Sequence, residues 1–358
     1  MTTGDYQRKT VGKGPATPAK MESVAKLAGV SMMTVSRVLN GQSNVRLDTR
    51  KRVEEAIELL DYKPNFAARN LASAKSQFLG LAYLNPSSGY LGQFLIGALS
   101  SARNGGLHLI LEACSDDSAD WATELVAFCR QTHLRGIILP PPLCDDPAVL
   151  HAALEFGLPV VRVSPSSHRP GMTSVRIDDY QASFELTNLL ISEGHRRIGF
   201  LLGAHNQEAT ALRYNGFVNA MKEAQIPINE QWIKDGEFAL VPALAAGLNI
   251  LTQKEKPTAI FASNDDMAAG LYVAAHQLGM TIPDNLSVVG FDDQPIASSL
   301  WPGLTTIHQP IIEMAAYAVN VLSQYNEHGD SSEISRDIIF PFEVVTRGSH
   351  CAQTTSRW

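Results

Sequence analysis

The stretch Met21–Asn40, MESVAKLAGVSMMTVSRVLN, governs how the rest of the chain is organised. In its first half Val24, Ala25, Leu27 and Ala28 form an apolar stripe at helical spacing. Gly29 then supplies the backbone freedom that a sharp turn between two helices needs. Ser31 suits the start of a second helix, because its hydroxyl can accept from an unpaired N–H of the first turn. Beyond that cap Val35, Val38 and Leu39 share one face, while Met32, Met33, Ser36, Arg37 and Asn40 share the other. Packing in an ordinary bundle accounts for the first face only. A solvent face of Arg, Ser, Asn and Met suits a helix laid in a DNA groove, so the pattern predicts a helix-turn-helix.

Charge agrees with that expectation once it is mapped along the chain. The net charge of -7 over 358 residues hides an asymmetry: residues 1–76 carry 13 Lys/Arg against 7 Asp/Glu, and residues 77–358 carry 16 against 29. A basic head on an acidic body suits a DNA-reading module joined to a regulatory one. The length fits two or three domains, and 45% apolar against 18% charged residues provides for a large core.

Residues 1–19, polar and interrupted by Pro15 and Pro18, read as a disordered leader. They lack the continuous apolar core of a secretory signal, and no later run reaches membrane-spanning length, so a cytoplasmic protein is expected. Cys114, Cys129, Cys144 and Cys351 are scattered without ligand spacing and read as free thiols. The histidines show no HExxH or paired spacing, and no GxSxG, Walker A or GxGxxG sequence occurs. Neither a metal nor another cofactor is therefore expected, and no catalytic residue is assigned. Asp265-Asp266 and Asp292-Asp293 pair carboxylates without a nearby acid or nucleophile.

After the polar loop Gly41–Arg46, Asp48 or Thr49 can cap a third helix running to about Asp61, with Val53, Ala56, Ile57 and Leu60 at i, i+3, i+4 and i+7. Three such helices closing on one small core make a head over residues 20–64, near the lower size limit for independent stability. The loop and Arg50–Arg52 carry groups able to hold phosphates. Pro64 ends the helix. Residues 65–76, NFAARNLASAKS, are too short for a stable isolated helix. They read either as a plain linker or as a segment helical only when two copies meet on DNA, with Leu71 wedging into a minor-groove base step.

From residue 77 short apolar runs alternate with helical patterns. Phe78–Leu84, Leu107–Glu112, Gly136–Pro140, Leu158–Val163, Arg197–Leu202, Thr258–Ala262 and Leu286–Phe291 read as strands. Leu91–Asn104, Trp121–Thr132, Tyr180–Glu193, Arg213–Ala224 and Met267–Leu278 read as helices. Such alternation predicts parallel sheets covered on both faces, and the strand number favours two doubly wound lobes over one sheet.

AKLAGVSMMTVSRVLNG and TRKRVEEAIELLDYKPNFAARNLAS resemble the head and hinge of the lactose-repressor (LacI/GalR) family of bacterial transcription regulators. The likeness continues in SEGHRRIGFLLG, ALRYNGF, FASNDDMAAG, IPDNLSVVGFDD and LTTIHQP, from about residue 20 to about 347. It implies a helix-turn-helix head, a hinge helix and an α/β effector and dimerisation body of periplasmic-binding-protein type over residues 77–350. Lobe 1 is then about 77–177 and 309–335, lobe 2 about 178–306 and 336–350, and residues 351–358 form a tail. Return crossings are expected near Thr306–Gln309 and Ser335.

The resemblance also implies a regulator, expected to be a repressor, bound to a palindromic operator as a homodimer and released by a small-molecule effector. No heptad tail follows, so a dimer is expected before a tetramer. Met21, Ser31, Met32, Met33, Thr34, Ser36, Arg37, Asn40 and Asn44 are the expected DNA contacts in the head, with Ala68 and Leu71 in the hinge. Met32-Met33 depart from the polar base-reading groups common in the family and suit thymine methyls, while Arg37 suits guanine or a phosphate.

Ligands of open α/β sheets lie beyond the carboxyl ends of the strands, here Asn85–Tyr90, Ser164–Ser167, Gly203–Gln207, Ser263–Asp266 and Asp292–Asp293. Arg213, Asn264 and Asp292 match family ligand positions, and a guanidinium facing a carboxylate suits vicinal hydroxyls. Ser88, Tyr90, Phe238 and Asp265 complete the expected effector contacts. Tyr90 and Phe238 stack on a sugar or serve the core, and Asn264 and Asp265 equally suit an Asx turn. Asp178 is expected at the lobe crossover, in switching. A sugar or sugar derivative is the expected effector, although the sign of its action is not encoded locally. A sugar-transport protein shares this fold but would need an export signal and no helix-turn-helix; an enzyme would need a catalytic constellation.

Overall fold

The computed structural model of the chain describes residues 20–39, 45–60, 62, 76–84, 87–114, 120–325 and 335–353. It divides into two compact units, residues 1–75 and residues 76–358.

In the first unit α1 (Met21–Ala28), α2 (Met32–Leu39) and α3 (Leu47–Leu59) close on Val24, Ala25, Ala28, Val35, Val38, Val53, Ala56 and Tyr62. Gly29 makes the turn with φ +64°, and the Val30 N–H donates back to the Ala25 carbonyl at 3.0 Å. A left-handed residue at this point ends α1 and aims the chain into α2. Ser31 caps α2 as its sequence predicts: its Oγ accepts from the Thr34 N–H at 3.2 Å. Two details differ from expectation. Leu27, counted in the apolar stripe of α1, is 54% exposed. Helix α3 starts at Leu47 behind Arg46, without a side-chain cap; Asp48 sits in its first turn, where its charge favours the helix dipole.

The second unit is built from two parallel sheets. Its first part contains β1 (Phe78–Tyr83), α4 (Ser88–Asn104), β2 (His108–Ala113), α5 (Trp121–Thr132), β3 (Gly136–Leu139), α6 (Pro147–Glu155), β4 (Val160–Val163) and β5 (Thr173–Arg176). There follow α7 (Asp179–Ser192), β6 (Ile198–Leu202), α8 (Glu208–Glu223), β7 (Ile233–Asp235), α9 (Leu240–Leu251), β8 (Ala259–Ala262), α10 (Asp265–Gln277), β9 (Ser287–Val289) and α11 (Pro295–Ser299). The chain ends with β10 (Thr306–His308), α12 (Ile311–Gln324), β11 (Asp337–Ile339) and β12 (Glu343–Val345).

Among the described residues, the first sheet runs β11-β5-β4-β3-β1-β2 and the second β7-β6-β8-β9, with every pairing parallel. Strands β3, β4 and β8 are buried throughout, as strands covered on both faces must be. Strands β10 and β12 form an antiparallel pair. Single bridges join it to the second sheet at Val289–Thr305 and Asp292–His308.

Among the described residues the chain thus passes between lobes three times. The first passage follows Arg176 and the second follows His308. The third does not lie at Ser335. Strand β11 pairs with β5 in register Asp337–Ser174, and the Phe340 N–H still donates to the Arg176 carbonyl at 2.8 Å. Residues up to 340 therefore belong to the first lobe, and the crossing falls just before β12.

Strand β4 carries one charged residue in its apolar run. Arg162 is fully buried; its Nε donates to the Cys144 carbonyl at 2.5 Å and its Nη1 to the Ser167 carbonyl at 2.8 Å. Asp145 pairs with its Nη2 and accepts from the Ser166 N–H at 2.8 Å. A buried charge survives only when paired and fully hydrogen-bonded. Here it ties together two loops at strand ends, the edge from which the cleft is built.

Candidate functional site

Between the lobes, at the carboxyl ends of the strands, Ser87, Tyr90, Pro141 and Ser164 face Gln207, Ala209, Arg213, Phe238, Asn264 and Asp292. The free space between these walls is about 430 Å³ including its open mouth.

Backbone strain is concentrated here. Ser164 (φ 52°), Phe238 (φ 54°) and Asp292 (φ 106°) all occupy the left-handed half of conformational space without being glycine. Each such residue costs about 1–3 kcal/mol and persists only where its surroundings impose it.

Arg213, on α8, is the centre of the polar network. Its Nε donates to Asp179 Oδ1 at 2.8 Å and its Nη1 to the Ser263 carbonyl at 2.5 Å, with Asp292 Oδ1 at 3.6 Å. The Phe291 ring lies 3.7 Å from the guanidinium carbon and the Phe238 ring 5.7 Å away. Asp292 accepts from Gln309 Nε2 at 2.6 Å and from Gln294 Nε2 at 2.9 Å. Burial pushes its carboxyl up to about 6, against the pull of Arg213 and the two amides.

More than one connection spans the lobes directly: Gln93 Nε2 donates to the Asp293 carbonyl at 3.3 Å, and Ser87 makes a second link. Ser87 Oγ donates to Asp266 Oδ2 at 2.8 Å, and Gln294 Nε2 donates to Ser87 Oγ at 3.1 Å. Gly89 makes room for that contact: a Cβ there would collide with the Gln294 amide.

In the first unit, α2 presents Met32 (55% exposed) and Met33 (65% exposed) on the face opposite Val35 and Val38. Arg37 Nη2 reaches Met33 Sδ at 3.6 Å, one turn back along the same face.

The model described as "Bacterial regulatory proteins, lacI family" matches residues 20–65, and that of the "Periplasmic binding protein-like domain" matches residues 187–350. Catabolite control protein A of Priestia megaterium is 33% identical over 327 residues, covering 90% of this chain and 98% of that protein. The chain belongs to the lacI family. It is accordingly a DNA-binding transcription regulator, from a family that are not enzymes. The HTH-type transcriptional repressor PurR of Photorhabdus laumondii is 34% identical, covering 85% of this chain and 89% of that one. Among solved structures, the Lac repressor dimer bound to operator and the anti-inducer ONPF aligns with a TM-score of 0.80 at 26% identity, covering 93% of this chain and 99% of that chain.

Within this lacI-family regulator, Arg213, Tyr90, Phe238, Asn264 and Asp292 are brought together at the cleft, where sequence places them. Tyr90 is buried, and its hydroxyl shares a hydrogen bond with Ser164 Oγ at 3.1 Å. Asn264 also caps α10, accepting from the Met267 N–H at 2.9 Å while its Nδ2 donates to the Phe238 carbonyl at 3.1 Å.

Two expectations, those for Ser88 and Asp265, need correction. Ser88 is exposed, and the serine that lines the cleft is Ser87, which also caps α4. Asp265 is fully buried behind the wall, with Oδ1 accepting from Thr306 Oγ1 at 2.6 Å and Oδ2 from the Gln294 N–H at 2.7 Å. Both oxygens are engaged by the protein, so its role is to hold the lobe passage, and burial pushes its carboxyl well above the usual range. Asp178 is an exposed cap of α7, accepting from the Gln181 N–H at 2.9 Å. The residue at this passage that engages Arg213 is its neighbour Asp179.

In the head, Ser31 and Thr34 bond to each other at 2.9 Å, and Met21 packs against the small core, which gives it a structural role. Ser36 lies half-buried on α2. Asn40, Asn44, Ala68 and Leu71 lie outside the described residues.

Sequence reasoning missed Asp179, Gln294 and Gln309. A signal for the two glutamines existed: both stand directly before a proline, in DDQP and IHQP. Among the described residues no cluster of His, Cys, Asp and Glu is arranged to hold a metal ion, the four cysteines are unbridged, and no helix is long and apolar enough to cross a membrane.

Proposed function

We propose that this regulator is a repressor that binds a palindromic operator as a homodimer and releases it when a small sugar or sugar derivative occupies the cleft. The observation that carries the DNA half is the face of α2. Two methionines more than half exposed, with Arg37 one turn away, are costly to leave in water and well shaped for a major groove. Met32 and Met33 then contact thymine methyls, and Arg37 reads guanine or holds a phosphate. A single small head makes a limited footprint, and two heads on two half-sites supply the affinity. The Lac repressor bound to its operator as a dimer supports the same assembly here.

For the cleft, Arg213 and Asp292 offer donors and acceptors for vicinal hydroxyls, and Phe238 offers a ring face to the apolar side of a sugar. Asp179–Arg213 and Ser87–Asp266 connect the cleft to the lobe passage and to both lobes, so occupancy changes which lobe arrangement is preferred.

The test is a fluorescence anisotropy titration of full-length protein on a palindromic duplex and a scrambled one, with and without a panel of sugars. Preference for the palindrome, lost on adding one sugar, is the expected result. Equal binding to both duplexes under all conditions would remove the operator half of the proposal.

A further inference from the structure

We infer that the effector carries no negative charge: the cleft accepts an uncharged polar molecule and rejects its phosphate ester or carboxylate. This rests on the cleft being the effector site, and it adds a charge class to that assignment.

Binding a phosphate or carboxylate takes a cation whose charge is not already balanced by buried carboxylates, or a helix N-terminus without a cap or an acidic residue. Among the described residues lining the cleft, Arg213 is the one Lys, Arg or His. Its charge is already matched. Asp179 takes its Nε at 2.8 Å, the Ser263 carbonyl takes Nη1 at 2.5 Å, and Asp292 stands 3.6 Å off. Phe291 stacks over the guanidinium at 3.7 Å.

Helix termini offer no substitute. The first turn of α4 is capped by Ser87, which accepts from the Tyr90 N–H at 3.3 Å. That of α10 is capped by Asn264. The first turn of α8 has no side-chain cap, but it carries Glu208, whose charge opposes an anion at that terminus.

Acidic groups outnumber cations around the site. Asp179 and Asp292, each at most 4% exposed, share the single guanidinium of Arg213. Asp266 adds its carboxylate at Ser87. At the mouth, a neighbouring groove lined by Pro142, His205, Asn206, Gln207 and Glu237 brings a further exposed carboxylate, and its His205 is paired with Asp235 at 3.0 Å. An incoming anion meets like charge from mouth to floor, and in a site of low effective dielectric such repulsion is poorly screened. Hydroxyls meet the opposite situation, since carboxylates and carbonyls accept from them without charge cost.

The experiment is isothermal calorimetry on the full chain with neutral mono- and disaccharides, the 6-phosphate and aldonic acid of each, hypoxanthine and inosine monophosphate. Hypoxanthine belongs in the panel because Phe238 offers its face to a flat base as readily as to a sugar ring. The expected result is that every binder is uncharged and that its phosphate or acid binds at least about 100-fold more weakly. A Gln207→Lys variant, which places a cation on the wall, narrows that gap about tenfold or more. A phosphate or acid that binds as tightly as its neutral parent overturns the inference while leaving the cleft as the effector site. Hypoxanthine binding where no sugar does removes the sugar assignment and leaves the charge inference standing, unless inosine monophosphate binds more tightly still.

Discussion

The face of α2 proposed to read DNA and the interlobe cleft proposed to hold the effector would solve recognition in opposite ways. On α2 the recognising side chains stand out in solvent, held mainly by their helix and by a core of eight buried residues. In the cleft nearly every recognising group is buried, and its position is dictated by partners from elsewhere in the chain: Arg213 by Asp179, Asp292 by Gln309, Tyr90 by Ser164. Changes on α2 should therefore alter binding with little effect on folding, whereas changes in the cleft should alter both together.

The sharpest attempt to break this contrast is Arg213→Ala. It strands Asp179 and Asp292 without their cation, and breaking a buried pair costs about 3–5 kcal/mol. Urea denaturation should show a loss of that size, with effector response abolished. Full stability after the change would put the cleft in the same class as α2.

Asp292 gives the next effect, through pH. Its folded-state carboxyl sits at about 6, above the ordinary 3.8, because it is buried. The native state therefore holds the proton more tightly than the unfolded chain. The linked stability is present in full below the unfolded value and is lost as pH rises through about 6, a change on the order of 3 kcal/mol. Asp265, raised as well, acts in the same direction. A denaturation series from pH 4 to 7.5 should show this decline, flattened in Asp292→Asn.

Within the head, Val53→Ala hollows a fully buried position in a small core and should cost about 2 kcal/mol. Amide exchange should rise in residues 20–60 and stay unchanged in the body. Arg37→Ala tests the other side of the contrast. Operator affinity should fall by about 1–3 kcal/mol with folding unchanged within about 0.5 kcal/mol. If Arg37 reads guanine the loss is confined to specific sites; if it holds a phosphate, all duplexes weaken alike and the salt slope drops by about one. Ser87→Ala closes the series: it removes both lobe-to-lobe hydrogen bonds of the Ser87 hydroxyl and its cap on the Tyr90 N–H, about 0.5–1 kcal/mol each. Calorimetry should register it as a shift in effector affinity, with the melting temperature lowered by a few degrees, on the order expected for that loss.

What could be read from the sequence follows the same division. The head was legible because its rules are local: Gly29 turns the chain, Ser31 caps, and a 3.6-residue period sorts Val35 and Val38 from Met32 and Met33. Every strand expected in the body is present, since fully buried parallel strands announce themselves as apolar runs. Strands β5, β7, β10, β11 and β12 were not foreseen. They are three or four residues long, and several carry polar residues, as in Asp337–Ile339. Adjacent residues were the other difficulty. Ser88 was expected for Ser87, because the cap and the first helical residue differ in direction by a rotation that periodicity cannot fix. Arg162 was invisible for a different reason: its partners Asp145 and Ser167 are brought to it only by the folded loops.

The vacant side of Gly89 gives the molecule a mechanical property. A single methyl at that point would act as a shim, prying away the amide through which Gln294 ties one half of the clamshell to the other. A Gly89→Ala protein should thus lose that one tie while Ser87 still holds Asp266, setting the two halves slightly ajar and blunting a response by the width of one carbon.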